Sequence, residues 1–267
     1  IEGIEAECSL RGYNLLLSAP RLIEGTVDEN FLKLIQSGYM DGVIALDNVP
    51  FASVLEPVLK KGIPAVNIGY RSSAYSVRSD DYSGGMQLMN HILDLGHHRI
   101  GLISVPDNLN FTTEQRVLGL RAAAAERGLD LDALPQVQGD FSTAGGADCC
   151  AALLREHTDL TAIICLNDRM AMGAVQQAHQ LGWQVPSQLS IVGYDDIPTA
   201  AIFVPPLTTI NQQALTLGNE AARMLLDILT GQTPESKTIP VELVIRGSSA
   251  PVRTDRKEAA APKAASS

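Results

Sequence analysis

The sequence predicts an α/β fold built as two doubly wound lobes, each with a parallel sheet covered by helices. Short apolar runs alternate with helical patterns of about twelve residues along nearly the whole chain, as expected for parallel strands joined by covering helices. About ten such runs occur, which suits two sheets of about five or six strands better than one large sheet. With 267 residues, 45% of them hydrophobic, the chain has enough apolar side chain for two cores of ordinary domain size.

The elements follow in order. Residues 1–11 carry Ile1, Ile4 and Cys8 on one helical face, and Gly12 ends the helix. YNLLLSA, 13–19, reads as a strand. A helix over 27–37 points Phe31, Leu34 and Ile35 inward, and a buried strand over 42–46 ends at Asp47. A helix over 51–61, stopped by Gly62, leads to strands over 63–68 and 76–80. A helix over 84–95 has Met86, Met89, Ile92 and Leu93 on its apolar side, and Gly96 closes it. RIGLISV, 99–105, is a strand, and 114–127 an alanine-rich helix ending at Gly128. Strand 137–141, helix 143–156, strand 162–166 and helix 170–181, the last closed by Gly182, continue the alternation. Strand 189–193 is followed by a Pro205-Pro206 break and a β-branched run over 207–210. A long helix over 212–229 stops at Gly231, and 238–245 alternates as one strand or hairpin. Because the first strand of a doubly wound sheet is normally central, a chain that opens in a helix leads us to expect a further strand upstream of residue 1.

Composition narrows the function classes. The net charge is −10 and the isoelectric point about 4.9, which makes this stretch by itself a poor partner for nucleic-acid phosphates. No apolar run reaches the length of a membrane span. The first residues, IEGIEAECSLRG, lack the basic start and apolar centre of an export signal, so a cytoplasmic location is expected. Cysteines at 8, 149, 150 and 165 form no CxxC spacing and read as reduced structural thiols rather than a disulfide frame or zinc site. His97-His98 reads as a structural pair, since adjacent side chains at a helix exit point in different directions. There is no GxGxxG, no phosphate-binding loop and no GxSxG. No catalytic residue, metal or cofactor is expected, and the chain reads as a binding protein rather than an enzyme.

The candidate binding residues cluster where strands end. In open α/β sheets ligands bind beyond the carboxyl ends of strands. Asp195 follows the run SIVGY and presents an acceptor-only carboxylate suited to hydroxyl donors; the alternative is an N-cap for the segment after it. Arg116 begins a helix after a polar loop, where its planar fork suits adjacent hydroxyls or a carboxylate; the alternative is a surface arginine. Asn167 ends AIICLN and is either a ligand contact or a cap for the next helix. Phe141 at a strand end either stacks on a ligand or packs in the core. Asp80, Thr112, Gln212 and Asp47 are weaker candidates on position alone.

Several of these residues sit in motifs that together resemble the LacI/GalR family of bacterial transcription repressors. Asn167-Asp168-xxx-Met172-Gly173-Ala174 resembles its ND-x-MA-x-GA segment, SIVGYDD its S-(V/I)-V-G-(F/Y)-DD segment, and PLTTI its P-x-LTT crossover. LGHHR resembles its LGH-R-x-I element, Arg116-xx-Gly119 its R-x-x-G-(F/W) helix start, and Asp80-xxx-Gly84 a D-x-x-x-G step. The resemblance runs from residue 1 to about 253. It implies a periplasmic-binding-protein-like type I fold. Residues 1–96 with 212–236 would form one lobe and 97–211 with 237–256 the other, joined by three crossovers near 97, 211 and 237, with 257–267 a disordered tail.

The resemblance also implies a function. The chain would be the effector-binding core of a homodimeric repressor, gripping a sugar or sugar phosphate between its lobes through Arg116, Asp195, Asn167 and Phe141. Met172 and Phe203 would lie on the dimer face. The family's helix-turn-helix headpiece and first core strand have no counterpart in this sequence, so contact with operator DNA would run through a domain outside it. The competing reading is a periplasmic sugar-binding protein serving a transporter, which the LTT and ND-x-MA-x-GA motifs oppose.

Overall fold

The computed structural model describes residues 1–19, 22–23, 26–46, 55–69, 75–106 and 111–253. The chain divides into two compact units. The first comprises Ile1–Asp80, Asn110–Thr112 and Gln213–Pro240; the second comprises Asp81–Leu109, Thr113–Gln212 and Val241–Ser267.

The first unit opens with α1 (Glu2–Leu10), the two-residue strands β1 (Leu22–Ile23) and β2 (Thr26–Val27), and α2 (Glu29–Gln36). Asp28 sets the start of α2 by accepting hydrogen bonds from the amides of Asn30 and Phe31 at 3.0 and 3.1 Å. Then come β3 (Val43–Leu46), α3 (Glu56–Lys60), β4 (Ala65–Ile68) and β5 (Ser76–Ser79).

The second unit follows with α4 (Asp81–Asp94), β6 (Ile100–Ser104), α5 (Phe111–Glu126), β7 (Gln136–Gln138) and α6 (Thr143–Glu156). It continues through β8 (Ala162–Cys165), α7 (Asp168–Gln180), β9 (Ser190–Val192), the short α8 (Pro198–Ile202) and β10 (Thr209–Asn211). The chain returns to the first unit for α9 (Ala214–Leu229) and β11 (Lys237–Ile239), and ends in the second with β12 (Glu242–Val244). Gly182 and Gly231, expected to end helices, follow α7 and α9 with φ of 83°, a conformation an L side chain resists.

In the first unit the sheet order is β11-β5-β4-β3, all parallel. Helix α9 packs Leu217, Ala221, Met224 and Leu225 against Val66 and Val77 of this sheet. In the second unit the order is β7-β6-β8-β9, again all parallel. Every residue of β6 and β8 is buried, so both faces of that sheet are covered. The sheet extends through single parallel bridges, Val192 to Thr208 and Asp195 to Asn211, onto β10, which pairs antiparallel with β12. The architecture is the expected one: parallel sheets in two units, wound with helices.

Four local expectations change. Residues 13–19 form no ladder: Tyr13 and Leu15 pack beside Ile4 and Cys8, but Leu16 and Leu17 are 62% and 65% exposed. The alternation is present, but no described strand lies in register to pair with it. The expected strand over 238–245 is cut at Pro240, which has no N–H to donate. Its first half joins β5 in the first unit and its second half joins β10 in the second. The helix expected over 84–95 starts at Asp81 and belongs to the second unit, where Leu88, Met89, Ile92 and Leu93 share a core with Ile100, Leu102 and Ile103. The first boundary between units thus falls after Asp80, whereas the motif reading grouped residues up to 96 with the first lobe. Finally, strand 137–141 ends early, at Gln138, and Phe141 lies in the turn before α6.

All four cysteines are free and buried. His97 packs inside the second unit, its Nε2 2.9 Å from the Ala250 carbonyl. Among the described residues no group of three or more His, Cys, Asp or Glu is placed to hold a metal ion, and no helix is long and apolar enough to cross a membrane. The expected helix 51–54 start, the candidate Asp47 and the tail 257–267 lie outside the described residues.

Candidate functional site

The second unit concentrates charge around one buried arginine. Arg116, on α5, is 5% exposed. Its Nε donates to Asp81 Oδ1 at 2.9 Å, and Asp81 is the first residue of α4. Its Nη1 donates to the carbonyl of Leu166 at 2.7 Å and lies 3.1 Å from Asp195 Oδ1. The guanidinium carbon stacks 3.7 Å from the centroid of the Tyr194 ring. Four segments (α4, α5, the end of β8 and the exit from β9) therefore meet on one side chain.

The helix pair is pressed together by glycines. A Cβ on Gly119 of α5 would lie 2.0 Å from the Tyr82 carbonyl oxygen of α4, and one on Gly85 would lie 2.2 Å from the Arg116 carbonyl oxygen. The backbones thus approach as closely as only glycine permits, which fixes Asp81 against Arg116. Tyr194 is fully buried, with its hydroxyl beside Asp81.

Burial and charge compete here. Burial alone would make Arg116 easier to deprotonate, but Asp195 and Asp81 outweigh it and hold the guanidinium charged. For Asp195 burial wins: its pKa is pushed up to about 6, although Arg116 pulls it down. Asp168, at the start of α7, is raised to about 7, chiefly by burial, against the hydrogen bonds it accepts. Thr209 Oγ1 donates to its Oδ1 at 2.6 Å and the Ile197 amide to its Oδ2 at 2.9 Å, so Asp168 ties the β9 exit to β10. Asp196 is matched by Arg246, 2.7 Å away, and by Asn211 Nδ2 at 3.0 Å.

The backbone at the β9 exit is unusual. Asp195 has φ of 114° and Asp196 φ of 54°, both in the region that non-glycine residues avoid. Such residues cost roughly 1–3 kcal/mol each and persist only where the surroundings hold them. Here the holds are the amide of Asp195 on the Ile210 carbonyl at 2.9 Å, Arg116, and Gln212 Nε2 donating to Asp195 Oδ1 at 3.1 Å.

The expected residues divide accordingly. Arg116, Asp195 and Gln212 come together in one network. Asn167 adopts the capping alternative: its Oδ1 accepts from the Met170 amide at 2.8 Å, and its Nδ2 donates to the Phe141 carbonyl at 3.1 Å. Phe141, at φ of 65°, is half-buried against the core, and its backbone is what Asn167 holds. Asp80 ends the first unit, its amide bonded to the Ile239 carbonyl, and the adjacent Asp81 is the residue that meets Arg116. Thr112 lies on α5 one turn before Arg116, in the short stretch grouped with the first unit. Met172 is 8% exposed and packs in the core of its own unit, near the Thr199 hydroxyl, which leaves little of it for a partner. Phe203 is half-buried between exposed Ile202 and Val204. Asp81, Tyr194 and Arg246 were not anticipated. Asp81 was visible only as the second half of a doublet, at the position that opens a helix. The partnership of Arg246 with Asp196 had no local signal.

Residues 89–249 match the periplasmic binding protein-like domain. Over 257 residues the chain is 33% identical to the HTH-type transcriptional repressor PurR of Haemophilus influenzae (strain PittEE), an alignment covering 93% of this chain and 76% of the repressor. A crystal structure of a LacI family transcriptional regulator from Enterococcus faecium with bound ribose superposes with a TM-score of 0.84 at 30% identity, covering 94% of this chain and 93% of that one. A transcriptional regulator CelR–cellobiose complex gives the same TM-score at 28% identity, covering 92% of this chain and 76% of that one. With the parallel sheets, the motif order and the Arg116–Asp195 cluster in place, this chain belongs to the LacI family of transcriptional regulators and corresponds to its effector-binding core.

Proposed function

We propose that the chain senses a small hydroxyl-rich effector, a sugar or sugar-like molecule, and through it controls DNA binding by a repressor that works as a homodimer in the cytoplasm. The observation that carries this reading is Asp195: a carboxylate at a strand exit, held at a strained backbone angle by Arg116 and Gln212, with 22% of its side chain still exposed. An acceptor pinned in this way suits hydroxyl donors. The ribose and cellobiose bound by the two related regulators support a sugar. The effector would act by binding one arrangement of the protein more tightly than another, and it can shift the balance only by that difference. The chain carries out no bond chemistry in this reading. A transporter's binding protein is the weaker alternative, because the relatives found are transcriptional regulators.

The test is a thermal-shift screen of sugars and nucleosides, followed by calorimetry on the best ligand with wild type and Asp195→Asn. A ligand stabilises the folded protein by mass action. The substitution keeps the shape and removes the charge, so affinity should fall by about 1.5–3 kcal/mol, the value of a charge-assisted hydrogen bond. Unchanged affinity would sink the assignment of Asp195. Arg116→Ala is a poor substitute, since it strands two carboxylates, and leaving a buried partner unpaired costs roughly 3–5 kcal/mol of stability.

A further inference from the structure

The charge count around Arg116 goes beyond the identity of the site to the kind of molecule it accepts. One buried guanidinium faces two carboxylates, Asp81 at 2.9 Å and Asp195 at 3.1 Å, and also donates to the Leu166 carbonyl. Asp168 is fully buried close by and adds a third carboxyl group, one that burial keeps partly protonated near neutral pH, with a hydroxyl and an amide as its donors rather than a cation. The neighbouring Asp196 and Arg246 cancel each other at 2.7 Å. Arg169, exposed on the first turn of α7, is a second cation acting on Asp195. Among the described residues the buried layer is therefore negative even though it contains an arginine.

We propose that the effector is uncharged, and that phosphorylated or acidic sugars are rejected by this carboxylate excess. The inference rests on the Asp195 reading given above and narrows it. An arginine at the centre of a sugar site suggests a phosphate clamp, but this guanidinium is already over-matched. A phosphate that displaced Asp81 or Asp195 from it would leave a carboxylate buried without its cation. Without displacement, the phosphate would add negative charge beside the two carboxylates in a poorly solvated place. A neutral polyol disturbs none of these pairs. Its hydroxyls can donate to Asp195, where the Gln212 amide now donates. Burial also raises the pKa of Asp195 to about 6, so this poorly solvated place disfavours even that carboxylate's own charge.

Calorimetry with matched probes tests this: ribose against ribose 5-phosphate, glucose against glucose 6-phosphate, and uridine against uridine 5′-monophosphate. In whichever pair binds, the neutral member should bind at least about tenfold more tightly, and the margin should shrink as salt is raised. A phosphorylated member that binds as well as or better than its neutral partner overturns the inference and leaves the Asp195 reading standing. If no member of any pair binds, the sugar reading falls, and the inference falls with it. Asp81→Asn separates electrostatics from shape, because the amide oxygen can still accept from Arg116 Nε. In this variant the neutral-to-phosphorylated ratio should drop severalfold, whatever happens to the absolute affinities. An unchanged ratio would show that the discrimination does not come from these carboxylates. Arg169→Ala should widen the ratio, and a narrowed ratio would likewise count against the proposal.

Discussion

At Asp168, two donors hold a carboxylate that burial nevertheless pushes up to about 7. The folded protein therefore binds a proton here that the unfolded chain, with an ordinary value of 3.8, has already released. The stability this contributes is fully present below about pH 4 and is lost as pH climbs through 7; full conversion corresponds to roughly 4 kcal/mol. Asp168→Asn can keep both contacts, its oxygen accepting from Ile197 and its amide donating to Thr209. Melting temperatures from pH 4 to 8 should accordingly fall less steeply for the variant, which should be the more stable protein at pH 8. Parallel curves would show that Asp168 is not the titrating group. Asp195, raised to about 6, makes a second pH claim: effector affinity should weaken as the buffer is taken below pH 6 and the acceptor is neutralised. At this scale the sequence was half legible. Asp195 and Arg116 stood out as polar residues at a strand end and a helix start. Asp81 did not, because only the fold shows which half of the Asp80-Asp81 doublet turns toward Arg116.

The contact between α4 and α5 carries this geometry at the level of elements. Gly119→Ala would set a methyl group 2.0 Å from the Tyr82 carbonyl oxygen, and Gly85→Ala would do the same against the Arg116 carbonyl oxygen. Backbone atoms cannot swing aside, so each should cost about 1–3 kcal/mol in a denaturant titration. Each should also weaken effector binding, because the helices that carry Asp81 and Arg116 must part. Loss of stability with intact affinity would show that the site tolerates the shift. Helices were the most legible elements, since apolar spacing and terminal glycines mark them locally. The strand expected over 13–19 was misread for a physical reason: alternation reports a face that packs, while a ladder also needs a neighbour in register. The split at Pro240 belongs to the same class, since one alternating run serves two sheets.

For the whole molecule, the ordered motifs identified the architecture correctly, whereas the division into units was set by packing. Helix α4 falls with the second unit because its apolar face meets β6, which no motif records. The same distinction bears on how two copies would associate. Met172 is an apolar residue in a recognisable motif, yet its own core already covers it. A glutamate there would bury a charge and unfold the unit, so loss of a dimer in that variant would say nothing about an interface. Ile202 and Val204 are different: they are 80% and 79% exposed on either side of half-buried Phe203. Isolated exposed apolar residues are ordinary, but two large ones flanking a half-buried aromatic fit the core of an interface better than a wetted turn. Replacing both with aspartate should leave the melting temperature of dilute protein almost unchanged, since neither supports the fold. If the proposed homodimer uses this face, the same variant should run in sedimentation equilibrium near the 28.5 kDa of one chain and wild type at twice that mass. A variant that sediments as wild type does would move the dimer face elsewhere on the molecule.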